Sequence, residues 1–323
     1  MRGHFRARYV RLMGVVLVAL LIASSAVTVF AQRTQFITIA TGGTAGVYYP
    51  LGGAMAEIFN QNVRGVNVSV QATGASVANV NMIAQGQVEL ALIQNDIAFY
   101  AANAQEMFQN RIGNLRGITT LYPEVIQLVA RADAGIRSIA DLRGKRVAVG
   151  DAGSGTEANA RQILAAAGLT YNDITVRYLS FAEAANNLRD GHIEAAFVTA
   201  GIPTAAIQDI AAQRDIVIVP IGADLLEKLR ADYPFYTGVV IPGGTYRGVN
   251  HDVHTVAVKA MLVARADLSE DLVYNMTKAF FSHLDRMAAA HAAGRLISLD
   301  TALDGMPIEL HPGAARYYAE VGR

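Results

Sequence analysis

Cysteine is absent from the sequence, which has 323 residues. Without cysteine the chain cannot form disulfides, use a thiol as a nucleophile, bind a metal through thiolates or carry a lipid on an N-terminal cysteine. A chain without such cross-links depends on its hydrophobic core for stability, and apolar residues make up 52% of this sequence. The composition therefore predicts a globular protein stabilised by burial alone.

Acidic residues are missing from positions 1–31, where four arginines precede an apolar stretch over 12–22 and a segment of small residues that ends at Ala31. This layout is typical of a secretory signal peptide cleaved before Gln32. An uncleaved membrane anchor is the alternative, because the apolar stretch extended to Phe30 approaches the roughly 18 residues of a spanning helix. We expect cleavage after residue 31 and a location in the periplasm.

Removal of residues 1–31 would leave 23 basic and 27 acidic residues, so the remaining 292-residue chain would be mildly acidic. Nucleic acid is therefore not an expected partner. A chain of 292 residues exceeds the usual size of a single domain. The length predicts two lobes, each with its own core.

Short apolar runs alternate with stretches of helical period along the chain. The pattern predicts strands over 36–40, 66–71, 89–93, 146–149, 175–178, 195–199 and 216–219, and helices over 47–60, 77–85, 97–108, 157–167, 182–189 and 202–212. This alternation predicts an α/β protein with parallel sheets covered on both faces.

Two long extended runs, 116–131 and 255–265, interrupt the alternation, and helices are predicted over 269–293 and from Pro312 onward. We interpret the two runs as crossover strands that join the lobes. Lobe I would comprise 32–125 and 262–323, and lobe II would comprise 126–261. Two crossings imply a hinge and a ligand cleft between the lobes.

Ligands of parallel sheets bind beyond the carboxyl ends of the strands. Two loops at such positions, 41–49 and 150–157, are rich in glycine and lead directly into predicted helices. A helix start presents unpaired N–H groups that attract anions, although a simple capped turn would explain either loop alone. Because one such loop falls in each lobe, we expect an anionic solute between them. Tyr48 could cover this ligand or pack in the core.

Other functions receive less support from the sequence. The first glycine-rich loop lacks the spacing of a dinucleotide-binding loop, and the second has no lysine for a phosphate-binding loop. A pair of histidines, His251 and His254, could suggest a metal, but they lie in a polar loop after Pro242. No nucleophile motif or paired carboxylate spacing is present, so an enzyme is unsupported rather than excluded. We predict no catalytic residue, no metal site and no cofactor.

The loops in this order resemble the TAXI family, the substrate-binding subunits of one branch of the tripartite ATP-independent periplasmic (TRAP) transporters. The resemblance runs from about Phe36 to the C-terminus and depends on the segments ITIATGGTAGVYYPLGGAMAEIF, ATGASVANVNMIAQGQVELALIQNDIAFYA, LYPEVIQLVARADAGIRSIADLRGKRVAVGDAGSGTEANARQIL and YPFYTGVVIPGGTYRG. It implies a type II periplasmic-binding-protein fold and a membrane partner driven by an ion gradient. The sequence is especially similar to glutamate/glutamine-binding members, which implies glutamate or a related acid such as glutamine or 2-oxoglutarate as the solute.

The resemblance and the strand junctions together predict the ligand-binding residues Gly43, Thr44, Tyr48, Ser76, Gln94, Asn95, Asp96, Ser154, Gly155, Thr156, Thr199, Gly201 and Pro203. The other TRAP branch holds its carboxylate with a fixed arginine, and the loops of this sequence contain none. Main-chain amides and hydroxyls are therefore expected to hold the carboxylate, with Arg161 adding only a distant field. The alternative function is a periplasmic sensor that passes a ligand-bound shape to a membrane signalling protein.

Overall fold

Ten strands and ten α-helices form a mixed α/β structure over residues 34–323, the part of the chain that the computed structural model describes. The predicted signal peptide lies outside these residues. The strands are β1 (Gln35–Ala40), β2 (Val66–Gln71), β3 (Leu90–Gln94), β4 (Leu115–Arg131), β5 (Arg146–Ala148), β6 (Thr175–Arg177), β7 (Ala195–Ala200), β8 (Ile216–Val219), β9 (Thr237–Ile241) and β10 (Val253–Arg265).

The helices lie mostly between consecutive strands, as the alternating pattern predicts. They are α1 (Tyr48–Asn62), α2 (Ser76–Ala84), α3 (Asn95–Asn103), α4 (Gly155–Ala166), α5 (Phe181–Asp190), α6 (Ala205–Gln213), α7 (Ala223–Asp232), α8 (Glu270–Ser282), α9 (Leu284–Ala290) and α10 (Pro312–Glu320). None of the helices between residues 34 and 323 is both long and apolar enough to span a bilayer.

The strands pair in the order β2-β1-β3-β10-β4-β7-β5-β6, with β8 also beside β4 and β9 also beside β10. The pairs β1–β3, β5–β6 and β5–β7 are parallel, as expected for strands separated by helices. All residues of β3 and β7 are buried, so these strands are covered on both faces.

The two longest strands connect the halves of this sheet. The first part of β4 pairs antiparallel with β10, and its last part pairs with β7 and β8. Conversely, β10 pairs with β9 near its start and with β3 near its end. The predicted crossover strands are therefore confirmed, and the fold has two α/β lobes. Residues Phe36–Arg323 cluster as one unit, and the predicted lobe boundaries stay a prediction.

Four features of the fold differ from the sequence prediction. Helix α7 and strand β9 were not predicted, and the predicted helix over 269–293 is divided at His283, whose φ of −135° interrupts the helical backbone. The third predicted helix ends at Asn103 rather than near 108, because Ala104 adopts a left-handed conformation with φ 52°. These differences lie outside the glycine-rich loops 41–49 and 150–157.

Helix α1 approaches the sheet closely at Gly52. A β-carbon at this position would lie 2.6 Å from Cγ2 of Thr41 and 3.4 Å from Cγ1 of Val70. Thr41 directly follows β1, is fully buried and donates a hydrogen bond of 2.8 Å from its hydroxyl to the carbonyl of Gln71. Because glycine has no side chain, α1 can pack closely against Thr41 at the start of the first glycine-rich loop. The adjacent Gly53 has no such neighbour within 4 Å.

We expect Gly52→Ala to lower the free energy of unfolding by about 1–3 kcal/mol, because the added methyl group overpacks the contact with Thr41. Gly53→Ala is the matched control in the same helix, and it should raise this free energy by up to about 1 kcal/mol through helix propensity alone. Urea unfolding of both variants measures the difference. Equal effects of the two substitutions would contradict the packing account.

Candidate functional site

A cavity of about 40 Å³ lies where the strand junctions of the two lobes meet. Its lining combines both glycine-rich loops with polar residues from the neighbouring junctions and strands. The lining residues are Gly42, Gly43, Gly46, Val47, Tyr48, Ala75, Ser76, Gln94, Glu124, Asp151, Ser154, Gly155, Thr156, Phe181, Thr199 and Ala200. The site therefore occupies the position that parallel sheets offer to ligands.

Four helices begin at this cavity. The N-cap residues of α1 to α4 are Val47, Ala75, Gln94 and Ser154, and all four line the cavity. Among them only Ser154 caps its helix with a side chain, since its Oγ accepts a 3.0 Å hydrogen bond from the amide of Glu157. The other three helix starts have no side-chain cap. At the start of α3 the amides of Asp96 and Ile97 already donate to the side chains of Asn95 and Asp96, at 3.1 and 2.9 Å. The partial positive charge of the helix starts favours a bound anion.

The backbone before α2 is strained at the cavity wall. Ala75 has φ 70° and ψ −145°, a conformation that residues other than glycine seldom adopt. Its amide donates a 3.0 Å hydrogen bond to the hydroxyl of Thr73, and its carbonyl accepts one from the amide of Asn79 at 2.8 Å. Local hydrogen bonds thus hold the start of α2 towards the cavity.

Two buried side-chain oxygens at the cavity have no hydrogen-bond partner within residues 34–323. They are Oε1 of Gln94 and Oγ1 of Thr199, whose residues are 2% and 5% exposed. Any side chain at Gly155 would overlap the Gln94 amide, so this glycine allows the amide to lie against the first turn of α4. Buried polar atoms normally find partners, which makes these two oxygens candidates for ligand contacts.

Among residues 34–323, two carboxyl groups and no lysine, arginine or histidine line the cavity. Glu124 is 2% exposed, and the hydroxyls of Tyr48 and Tyr122 donate to its Oε2 and Oε1 at 3.0 and 3.5 Å. Burial raises the pKa of Glu124 to about 8, although the hydrogen bonds from Tyr48 and Gln94 lower it. Burial also raises the pKa of Asp151, with a smaller contribution from the charge of Glu183. A neutral Glu124 leaves Asp151 as the other acid of the lining, beside the partial positive charges of the helix starts.

The structure brings together eight of the thirteen predicted ligand-binding residues. The residues that line the cavity are Gly43, Tyr48, Ser76, Gln94, Ser154, Gly155, Thr156 and Thr199. The hydroxyl of Ser76 accepts a 3.1 Å hydrogen bond from the amide of Gln94, so one junction positions the next. These residues come from both lobes, as predicted for a ligand held between two helix starts.

Five predicted residues do not line the cavity. Thr44 is exposed at the tip of its loop. Asn95 turns away, donating to the carbonyl of Gly305 at 3.2 Å and accepting from the amide of Lys259 at 2.9 Å. At Gly201 a β-carbon would lie 2.7 Å from that of Ala293, so this glycine is packed against another element.

Pro203 is also outside the lining, and its carbonyl contacts Nε2 of His291 at 3.0 Å. The fifth residue, Asp96, is fully buried behind the cavity between α3 and α4. Its Oδ2 accepts a 2.9 Å hydrogen bond from Nδ2 of Asn159, which also donates to the hydroxyl of Tyr236 at 3.0 Å. Burial raises the pKa of Asp96 to about 7. Asp96 thus connects the lobes rather than contacting the cavity.

Sequence reasoning did not identify Glu124, Asp151 or Phe181 as lining residues. The signal for Glu124 was present, because it is an isolated acid within the apolar run of β4. A buried acid in such a strand requires partners, and they come from Tyr48 and the nearby Tyr122. Arg161, expected to add a distant field, instead pairs with Glu106 at 3.0 Å.

Several solved structures of bacterial binding proteins share this fold. The periplasmic binding protein BugD aligns with a TM-score of 0.57 and 14% identity over 89% of this chain and 98% of that chain. The alkanesulfonate-binding protein SsuA from Xanthomonas axonopodis pv. citri, bound to MOPS, aligns with a TM-score of 0.52 and 16% identity over 89% and 84%. The ligand-binding component of an ABC-type import system from Staphylococcus aureus, with zinc bound, gives 0.50 and 9% over 81% and 78%.

These likenesses confirm the predicted two-lobed α/β fold of periplasmic binding proteins. A family model matches this chain over residues 39–322, which includes both glycine-rich loops and both crossover strands. The match covers almost all of the described residues. The chain therefore belongs to the NMT1-like family.

Proposed function

We propose that this protein is an extracytoplasmic solute-binding receptor that captures a small carboxylate, most simply glutamate or a related acid, and delivers it to a TRAP transporter of the TAXI type. The observation that carries the proposal is the convergence of four helix starts on one buried cavity between the lobes. Helix starts bind anions through N–H groups and a partial positive charge. The solute would thus be held without an arginine.

Contacts between the lobes support a receptor that closes around its ligand. The amide of Ala78 donates to the carbonyl of Gly153 at 3.1 Å, beside the start of α4, and the amide of Ala206 donates to the carbonyl of Ala45 at 3.3 Å. These two hydrogen bonds join each glycine-rich loop to an element of the other lobe. Closure would exclude water from the cavity and strengthen the electrostatic contacts to the solute.

Binding without chemical change fits the cavity better than catalysis. Burial raises the pKa of Glu124, and its hydrogen-bond partners are the hydroxyls of Tyr48 and Tyr122 and the side chain of Gln94, with no serine or threonine nucleophile among them. The hydroxyl of Ser154 serves as a helix cap and is not paired with a general base. Neither group has the neighbours that hydrolysis or group transfer would need.

The partner class is supported by sequence resemblance. The fold also occurs in SsuA, an alkanesulfonate-binding protein, and in a component of an ABC-type import system, so the fold by itself fits more than one transporter type. The glycine-rich loops and the segment after Tyr233 favour the TAXI branch, which uses an ion gradient. The predicted signal peptide supports delivery from the periplasm.

A panel of amino acids and dicarboxylates should identify the solute by thermal shift. A ligand at 100 times its dissociation constant should stabilise the protein by about 2.7 kcal/mol through mass action, giving a clear rise in melting temperature. We expect the largest rise with glutamate, glutamine or 2-oxoglutarate. A shift produced only by neutral compounds would contradict the proposed anion site.

Transport into membrane vesicles distinguishes the partner types. With the receptor and its membrane subunits present, uptake of the identified solute should stop when an ionophore dissipates the ion gradient. It should continue when ATP is depleted and the gradient is imposed artificially. Uptake that requires ATP under an imposed gradient would assign the receptor to an ABC system instead.

Two buried threonines provide a matched test of the site. Thr199→Val removes a hydroxyl that has no partner among the described residues. We expect this variant to bind the identified solute about tenfold more weakly while keeping or raising its free energy of unfolding, since no protein hydrogen bond is lost.

Thr204→Val is the control, because this fully buried hydroxyl lies outside the cavity lining and has two partners. It donates to the carbonyl of Gly201 and accepts from Nε2 of Gln127, both at 2.9 Å. This variant should lose about 1–3 kcal/mol of stability and retain its affinity. Calorimetric titration and urea unfolding measure both quantities. Unchanged affinity in Thr199→Val would place the solute elsewhere.

A further inference from the structure

The inner wall of the cavity offers hydrogen-bond acceptors beside the donors of the helix starts. Oε1 of Gln94 is an acceptor without a partner, and Oγ1 of Thr199 is free to accept. Glu124 adds a carboxyl group to the same lining. A plain dicarboxylate brings only acceptors, so it would leave the Gln94 oxygen unpaired. The wall instead matches a ligand that also carries N–H donors.

Donors and acceptors lie next to one another in the cavity. Gly155 opens α4, and any side chain there would overlap the Gln94 amide, so the unpartnered oxygen lies against a helix start. An α-amino acid carries its carboxylate and its ammonium group on the same carbon. It therefore needs an anion-binding group and an acceptor at this short separation.

Glu124 is held by contacts that fix its orientation. The hydroxyl of Tyr48, from the first residue of α1, donates to Oε2 at 3.0 Å, and that of Tyr122 lies 3.5 Å from Oε1. Both tyrosines are buried, so the carboxyl group is oriented by the protein before a ligand arrives. A carboxyl group fixed in this way can distinguish an ammonium group from a carbon–hydrogen group at the same position.

We propose that Glu124 is the specificity-determining residue of the site and receives the ammonium group of an α-amino acid whose carboxylate lies at the helix starts. This inference rests on the proposed function. It assigns the solute class as amino acids, in preference to dicarboxylates and oxo acids. Oε1 of Gln94 and Oγ1 of Thr199 accept the remaining N–H donors.

Binding of an ammonium group then releases a proton from Glu124. Burial raises the pKa of this group to about 8, so it is neutral in the free protein at pH 7, while a bound cation favours the ionised form. The affinity for an amino acid should therefore increase as the pH is raised, by up to tenfold per pH unit, until the pH reaches about 8. Above that pH it should level off. A carboxylate ligand without an ammonium group should show no such rise.

The other groups around Glu124 do not supply a competing cation. Tyr48 faces it from α1 and Tyr122 from β4, Asp96 adds negative charge from α3, and Asp151 lines the same cavity. Strand β10 contributes Lys259 near the ladder partner of Glu124, but its ammonium group pairs with Asp304 at 3.6 Å. The elements α2 and β7 present only hydroxyls, from Ser76 and Thr199.

The test compares L-glutamate with glutarate, which has the same carbon chain and both carboxylates but no ammonium group. Calorimetric titration at pH 7 in two buffers of different ionisation enthalpy counts the protons released. With the wild-type protein we expect release of nearly one proton for glutamate, none for glutarate, and a preference for glutamate of roughly 10- to 150-fold, typical of a hydrogen bond to a charged group.

Glu124→Gln keeps the shape of the side chain and should abolish both the proton release and most of the preference. Asp209→Asn, at an exposed position of α6, controls for the loss of one acidic residue and should change neither. The proton count on the wild-type protein keeps the test decisive if Glu124→Gln fails to fold.

The outcomes separate the two proposals. Binding of glutarate as tightly as glutamate, without proton release, would overturn the role of Glu124 and leave the carboxylate receptor intact. Loss of the preference in Asp151→Asn but not in Glu124→Gln would also overturn it. Failure of the wild-type protein to bind either acid would overturn the proposed solute and this inference together.

Discussion

The antiparallel pairing of β4 with β10 is the constraint on which the rest of the structure depends. These two strands pass between the lobes side by side. Strand β10 also pairs with β9 near its start and with β3 near its end, and β4 also pairs with β7 and β8. The pairing of these two strands sets where the strand ends of the two lobes meet, although its register shifts twice, between Lys259 and Met261 and between Leu262 and Val263. Glu124 pairs with Val258 within this ladder. The carboxyl group at the site is thus held by the same strand that connects the lobes.

Electrostatics in the cavity reflect a balance between helix starts and buried acids. Four helix starts contribute partial positive charge, while Glu124 and Asp151 could contribute negative charge. Burial raises the pKa of Glu124 to about 8, so this acid is mostly neutral at pH 7, and burial also raises the pKa of Asp151. With Glu124 neutral, the partial positive charges of the helix starts favour an anion at this site. A zwitterion can satisfy both sets of groups. Its carboxylate matches the helix starts, while its ammonium group favours the ionised form of the acid and balances the resulting negative charge.

The repetition of strands and helices could be predicted from the sequence because the signals are local. Apolar runs of four to six residues and helical periods set most of the strands, and the glycine-rich loops marked the two junctions that meet at the cavity. Helix α7 and strand β9 were not predicted, because they come after the regular alternation of strands and helices and the segments that form them do not keep its spacing. Their positions depend on contacts with distant strands, such as the pairing of β9 with β10.

Which side of a helix faces the cavity could not be read from the sequence in the same way. Gln94, Asn95 and Asp96 follow one another at the start of α3, yet only Gln94 lines the cavity. Each further residue rotates about 100° around a helix, so Asn95 meets β10 and Asp96 meets α4. These directions depend on tertiary packing. The same holds for Glu124, whose main partner, Tyr48, is 76 residues away in the chain.

The unpartnered oxygens of Gln94 and Thr199 connect stability with function. Leaving a buried polar atom unpaired destabilises a protein by about 1–3 kcal/mol, so a fold selected only for stability would pair these atoms or replace them. Both instead lie in one cavity between the lobes, together with the strained backbone of Ala75. A ligand that donates hydrogen bonds to these oxygens removes the cost of leaving them unpaired, and this contributes to its binding free energy. Since the lining comes from both lobes, a ligand that pairs these oxygens contacts both lobes at once.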